Sequence, residues 1–260
     1  MRTDLAVTLR ETAYAKLNLA LHVRAREPDG YHRIETIFAF CEEGDIVTAT
    51  EAEVLSLNVT GRFAGALGNP ADNLVWKAAS ALGRTVALTL DKRLPVAAGV
   101  GGGSADAAAV LRMLGGGAAV AAALGADVPA CLLSRTARGA GKGDAIKPIE
   151  IDGLAGTPVL LVNPGLPLST ADVFRAWDGI DRGPLGAWEE GRNDLEPPAR
   201  ALVPEIGAVL AALAGARIAR MSGSGATCFG LFDSAAERDA AAAAIAAARP
   251  GWWLSQTRLR

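Results

Sequence analysis

What this 260-residue chain lacks removes several classes of function. It has only three cysteines, Cys41, Cys131 and Cys228, odd in number and far apart, so neither a disulfide framework nor a zinc site is supported and a reducing compartment fits. It has no excess of positive charge: 26 Lys+Arg against 28 Asp+Glu give a formal net charge of −2. Nucleic-acid and anionic-membrane binders need a broad basic field, so neither partner is expected, and any anionic ligand must be met by local groups. Long apolar runs are missing too. Residues 113–126 are mostly Gly and Ala between Arg112 and Asp127, too short and too weakly hydrophobic to span a bilayer, and the leading MRTDLAVTLRE has no apolar core of a signal peptide. A cytoplasmic protein is expected. At 50% hydrophobic and 21% charged residues, the composition is that of a globular chain with one large or two medium domains.

Against these absences stands PVAAGVGGGSAD at residues 95–106, which joins a β-like run to an alanine-rich helical run through consecutive glycines. Glycines permit positive φ and close backbone approach, and the free N–H groups and positive dipole end of a helix starting near Ser104 favour phosphate. No Lys-Ser or Lys-Thr follows the last glycine, so this is not a Walker A loop. The dinucleotide fingerprint and the protein-kinase signature set are absent as well. From the pattern alone, the run is equally a tight structural turn and a phosphate cradle. Ser104 and Asp106 can serve Mg²⁺ or act as ordinary N-terminal caps.

Extended patterns at 17–23, 34–41, 45–50 and 54–59 predict a twisted, largely antiparallel sheet. Asp72 or Asn73 caps a helix through Ala81, 85–90 reads as a strand, and 104–114 as the helix behind the glycine turn. Gly and Pro punctuation near 155 divides the chain into domains 1–154 and 155–260. The second reads as strand 159–162, a helix from Ser169, helix 203–213, strands 217–221 and 227–232, a helix from Ser234 and a last strand at 252–258, in an α/β sandwich.

Four further pieces bear on chemistry. Lys16 and Asn18 in AKLNL share one face of a strand, where a lysine is either a solvated edge charge or a cleft cation. Tyr31 and His32 follow a Pro-Asp-Gly turn and offer stacking and hydrogen-bonding groups for a planar ligand, or a packed surface aromatic. Asp127 in GADVP is a helix cap or a carboxylate that deprotonates an alcohol near phosphates. SGSGAT at 222–227 is a glycine-requiring hairpin or a second backbone surface apposed to the ligand. Gly141-Lys142-Gly143-Asp144 reads as a turn.

Taken in order, AYAKLNLALHV, PDGYH, PVAAGVGGGSADAA, LGADVP and MSGSGAT resemble the GHMP kinases over nearly the whole chain. PDGYH distinguishes the branch acting on a cytidylated methylerythritol from homoserine and mevalonate kinases. The resemblance implies an α+β, two-domain GHMP kinase fold, with a ribosomal-protein-S5-like N-terminal domain, a ferredoxin-like C-terminal domain and an active site between them. It implies ATP-dependent phosphorylation of the acceptor's 2-hydroxyl, a step towards isoprenoid precursors by the non-mevalonate route, by a monomer or weak homodimer. Lys16 and Asp127 match the catalytic pair, with Lys16 holding Asp127 ionised. Pro95, Val96, Ala97, Ala98, Gly99, Val100, Gly101, Gly102, Gly103, Ser104 and Ala105 match the ATP phosphate loop, with Ser104 as the Mg²⁺ ligand, and Asn73, Leu74 and Val75 lie near adenosine. Tyr31 and His32 face the cytosine with Phe174 on its other side, and Asn18 helps hold substrate. The chain departs from the pattern in a short spacer between Leu114 and Leu124, in Ala97 and Ala98 where a glycine is common, and in Ala105 where a second hydroxyl often stands.

Overall fold

The computed structural model describes residues 7–260. Its first sheet is organised by two long strands, β1 (Thr8–Arg26) and β2 (His32–Glu51), paired antiparallel along their length. The two extended patterns at 34–41 and 45–50 thus belong to one strand. On its other side β2 pairs with β4 (Val86–Asp91) over residues 46–51 and with β5 (Ala137–Gly141) over 34–38. β3 (Ser56–Thr60) extends β4 in parallel and β6 (Ala145–Pro148) extends β5, so the sheet is largely antiparallel as its alternating patterns imply. Register shifts in β1 fall between Tyr14 and Lys16 and between Asn18 and Ala20. Such irregularities bend a strand and re-aim its side chains, here around Lys16 and Asn18.

Helix α1 (Leu74–Ala81) starts where Asn73 accepts the Val75 N–H at 2.9 Å, as its capping position predicts. α2 (Gly102–Leu114) buries its alanine-rich face, residues 105–111, and stops at Gly115 in a left-handed conformation. The short spacer after it still forms a helix, α3 (Ala118–Leu124), packed beside α4 (Val128–Leu133). α3, α4 and the β5–β6 hairpin lie outside the predicted elements, because short Gly- and Ala-rich segments carry little periodicity.

The second sheet has the order β10-β7-β9-β8, antiparallel throughout, from β7 (Pro158–Asn163), β8 (Ile218–Met221), β9 (Cys228–Leu231) and β10 (Trp253–Arg258). Around it lie α5 (Thr170–Arg175), capped by Ser169, then α6 (Glu196–Leu202), α7 (Glu205–Ala212) and α8 (Ala235–Ala248). The helix predicted over 203–213 is α7, which starts two residues later because proline disfavours helical backbone at Val203 and Pro204 takes the cap position, while α6 before it lies outside the predicted elements.

The two sheets are not insulated from each other. Leu17 and Leu19 of β1 share a buried cluster with Val159, Leu161 and Phe229, while Leu21 and Val23 pack into the cluster of Val162, Val173 and Ile206. β1 therefore carries Lys16 and Asn18 into the seam between the two halves. All three cysteines are free and buried, and burial pushes the Cys131 thiol up to about 12. Among the described residues no helix is long and apolar enough to cross a membrane.

Candidate active site

A cleft of about 550 Å³ opens along that seam. Its walls bring together Lys16 and Asn18 from β1, Asn73 and Leu74 from the start of α1, the glycine segment, Asp127, Phe174, and Gly223 and Ser224. Residues separated by two hundred positions in sequence meet here because the small-residue loop after β8 packs directly on the glycine loop.

That contact is tight. A Cβ on Gly99 would lie 2.4 Å from the Ser222 carbonyl oxygen, and Gly99 has φ +76°, so only glycine fits both the space and the backbone. Ser222 Oγ donates to the Gly99 carbonyl at 2.9 Å and accepts the Asn18 N–H at 3.2 Å, joining loop, strand and loop. Asn193, buried and fully used, donates to the carbonyls of Met221 and Gly223 at 2.8 Å each and accepts the Leu195 N–H. The segment at 222–227 is therefore a second backbone surface against the first loop, one of the two readings its sequence permits.

At Gly101, φ is +63° and an added Cβ would sit 3.0 Å from Lys16 Cε. The turn there ends in α2, whose first bond runs from Ala105 N–H to the Gly101 carbonyl at 2.8 Å. The N–H groups of Gly102, Gly103 and Ser104 are then the unpaired donors of a helix start, and all three residues line the cleft. Pro95, Val96, Ala97 and Ala98 line it as well, whereas Val75, Val100 and Ala105 are at most 2% exposed. Their side chains support the site from the core: Val100 accepts the Lys16 N–H through its carbonyl at 2.9 Å. Ala97 has φ +54°, which explains why a glycine suits that position and makes its alanine strained.

Lys16 is 3% exposed and crosses the cleft floor. Its Nζ donates to Asp127 Oδ2 at 2.9 Å and to Asn18 Oδ1 at 3.0 Å, and lies 5.1 Å from the Phe38 ring centroid. Asn18 is fixed in turn by donating to Thr36 Oγ1 at 2.8 Å. Asp127 stands at the cap position of α4 yet makes no side-chain cap bond, so the carboxylate is turned to Lys16 instead, with its side chain 40% exposed. Lys16 is therefore not a solvated edge charge, and the Asp127 side chain does not cap the helix whose first position it precedes.

Directly beneath the loop lies a second lysine that sequence patterns do not single out. Lys92 is paired with Asp45 and, at 2.8 Å, with Asp106, all three buried. Asp45 also accepts the Arg93 and Leu94 N–H groups at 2.6 and 2.8 Å, while Asp106 Oδ1 is buried without a partner. Burial pushes the Asp106 carboxyl up to about 8, against the pull of Lys92. The two carboxylates outweigh the effect of burial on Lys92 and raise its pKa, so it stays charged.

At the far end, Phe174 lines the cleft with Leu21 and Ile34. The His32 ring packs against Phe174 at 4.9 Å between centroids and edge-on against Trp177 at 5.6 Å, leaving His32 Nε2 buried without a partner. Burial, helped by Arg26, lowers the His32 pKa and keeps the imidazole neutral at neutral pH. Because these two rings touch, no planar ligand fits between Phe174 and His32, and only the other face of Phe174 is turned to the cleft. Tyr31 is 59% exposed and, like His32, is not among the residues that line the cleft. Lys142, which reads as a turn residue in the sequence, does sit in a hairpin turn, but its side chain reaches the cleft wall.

Ser104 offers a hard oxygen donor at the start of α2, the donor type that Mg²⁺ takes. Among the described residues no group of three or more His, Cys, Asp or Glu side chains could hold a metal by itself, so the shell would have to come largely from a bound nucleotide.

The chain matches the family description "GHMP kinases N terminal domain" over residues 73–135 and "GHMP kinases C terminal" over residues 178–250. It is 56% identical to the 4-diphosphocytidyl-2-C-methyl-D-erythritol kinase of Novosphingobium aromaticivorans, covering 98% of this chain and 94% of that one. To the kinase of the same name from Rhizorhabdus wittichii it is 57% identical, covering 96% and 94%. A crystal structure of 4-(cytidine 5'-diphospho)-2C-methyl-D-erythritol kinase superposes with a TM-score of 0.81 at 34% identity, covering 96% of this chain and 99% of that one.

Proposed function

Since the chain belongs to the GHMP kinases, among the 4-diphosphocytidyl-2-C-methyl-D-erythritol kinases, it transfers a phosphoryl group from ATP to that cytidylated alcohol, and we propose that Lys16 and Asp127 carry the transfer to its 2-hydroxyl. The observation that carries this reading is the Lys16–Asp127 contact of 2.9 Å in a cleft shared with unpaired helix-start N–H groups. Phosphoryl transfer asks a protein mainly to position groups and stabilise charge. Asp127, with Oδ2 held by Lys16, presents its exposed carboxylate to the acceptor hydroxyl and takes its proton. Lys16 stabilises the negative charge that develops between donor and acceptor. Asn18, locked by Thr36, orients the ammonium.

The N–H groups of Gly102, Gly103 and Ser104 bind the ATP phosphates, and Asn73 and Leu74 lie towards adenosine. Ser104 Oγ is the protein ligand that would hold Mg²⁺, which when bound neutralises charge on the transferring phosphates. The apolar end at Phe174, with His32 and Tyr31, receives the cytosine. The residues 1–154 and 155–260 act as two domains closing on the cleft, in a cytoplasmic enzyme that is a monomer or weak homodimer and binds no nucleic acid.

The test is ATP consumption with cytidylated methylerythritol, its uncytidylated form, homoserine and mevalonate as acceptors. The cytidylated acceptor should show much the highest kcat/KM. Comparable values with and without cytidine would remove the base site and leave a kinase for some other alcohol.

A further inference from the structure

Asp127 stands at the head of a helix too short to hold itself in place. α4 has six residues, ends at Ser134 in left-handed backbone, and receives no cap bond from the Asp127 side chain. A helix of that length has little stability of its own, so its position is set by what grips its backbone from outside. One guanidinium does so. Arg112, in the last turn of α2, donates from Nη1 to the Cys131 carbonyl at 2.7 Å, from Nη2 to the Thr12 carbonyl at 3.1 Å and from Nε to Glu11 Oε1 at 2.9 Å. Cys131 N–H in turn donates to the Asp127 carbonyl at 3.0 Å, so one backbone hydrogen bond links the gripped residue to Asp127. Thr12 lies four residues before Lys16 on β1, and α2 begins in the glycine loop. The three elements that meet at Arg112 are therefore those that carry Asp127, Lys16 and the helix-start N–H groups.

We infer that Arg112 is a positioning residue for the transfer: its fork sets α4 against β1, and with it the contact between the Asp127 carboxylate and Lys16. The inference rests on Asp127 being the proton acceptor proposed above. Arg112 is not among the residues that line the cleft, so it acts on a ligand only through what it holds. A planar guanidinium presents donors in fixed directions, and here each of its three nitrogens has its own acceptor, an arrangement that the point charge of a lysine cannot reproduce. The Cys131 carbonyl belongs to the last turn of α4, where carbonyls have no helical partner and a donor from outside is needed. Glu11 only keeps the fork turned, since its pair with Arg112 is partly open to solvent and such pairs contribute little. Arg260 also meets this segment, at Ser134 just past the helix, but from an exposed position and at the end away from Asp127.

The experiment is steady-state kinetics with ATP and the cytidylated acceptor varied in turn. Arg112→Met should lower kcat about 10-fold with both KM values within about twofold, because only the placing of the proton acceptor changes. Arg112→Lys keeps the charge but should stay at least about 5-fold below wild type, since one ammonium cannot occupy both Nη positions, and it carries the test if the methionine variant does not fold. Glu11→Gln leaves both carbonyl bonds in place and should keep kcat within about twofold. In an Asp127→Asn background, Arg112→Met should add less than about a further twofold, because its effect runs through that carboxylate. Wild-type kcat in folded Arg112→Met or in Arg112→Lys, while Asp127→Asn lowers it, overturns the inference alone. A loss in Glu11→Gln equal to that in Arg112→Met also overturns it, as does a full Arg112→Met effect that persists without the Asp127 carboxylate, which marks a merely structural role. If Asp127→Asn itself leaves kcat unchanged, the proton-acceptor reading fails and the inference falls with it.

Discussion

Lys16 and Lys92 flank the same glycine loop, each with a side chain 3% exposed and each salt-bridged to aspartate, yet their partners differ. Lys92 faces two aspartates, Asp45 at 0% and Asp106 at 2% exposure, both far less open than Asp127 although Lys92 and Asp106 touch the cleft from behind the loop. Lys16 faces a carboxamide and one carboxylate, Asp127, whose side chain is 40% exposed in the cleft. Depth of the ammonium therefore does not separate the lysine we propose as catalytic from a structural one. Exposure of the partner does: a carboxylate that meets a lysine and is 40% exposed in the cleft can exchange a proton with a ligand, whereas one 2% exposed behind the loop supports it. An added Cβ at Gly102 would sit 3.0 Å from Lys92 Nζ, so the loop rests on this buried cluster.

The sharpest way to break the contrast is to neutralise each lysine. Lys92→Met should cost about 3–5 kcal/mol of stability, because it leaves the Asp45–Asp106 pair buried without its cation, and urea denaturation measures it. Lys16→Met should lower kcat by about 10²- to 10³-fold, as for loss of a positioned charge stabiliser, while its denaturation midpoint moves less because Asp127 can be hydrated. The loop between the lysines gives smaller effects. Gly101→Ala forces a Cβ into left-handed backbone beside Lys16 and should weaken ATP binding about 10-fold, read by calorimetry. Ala97→Gly relieves a φ of +54° and should raise stability by about 0.5–1 kcal/mol, checked by the same urea titration.

The same contrast shows what the sequence makes legible. The glycine segment, Lys16, Asn18 and Asp127 stand out because each sits in a short pattern whose spacing dictates its geometry: alternate positions on a strand share a face, and consecutive glycines before alanines make a turn into a helix. Helix α1 is legible through Asn73, and the mostly antiparallel sheet through its alternating strands. Lys92, Asp45 and Asp106 come from a strand end, a strand interior and a helix, and only the packing of α2 on the sheet brings them together. Asn193 and Ser222 likewise act across the chain, on carbonyls that no local pattern names. Lys142 is the instructive miss, since its turn is visible in Gly-Lys-Gly-Asp but the pairing of β5 with β2 that aims it at the cleft is not.

The claim that partner exposure divides the two lysines is tested most directly by making one isosteric change on each side and measuring kcat. Asp127→Asn should lower kcat by roughly 10²- to 10⁴-fold with ATP affinity nearly intact, since a positioned proton acceptor is lost. Asp106→Asn should keep kcat within a few-fold of wild type, because an amide oxygen can still accept from Lys92 and Asp45 remains as its counter-ion. Near wild-type kcat in Asp127→Asn, or a comparable collapse in Asp106→Asn on a folded protein, would contradict the account.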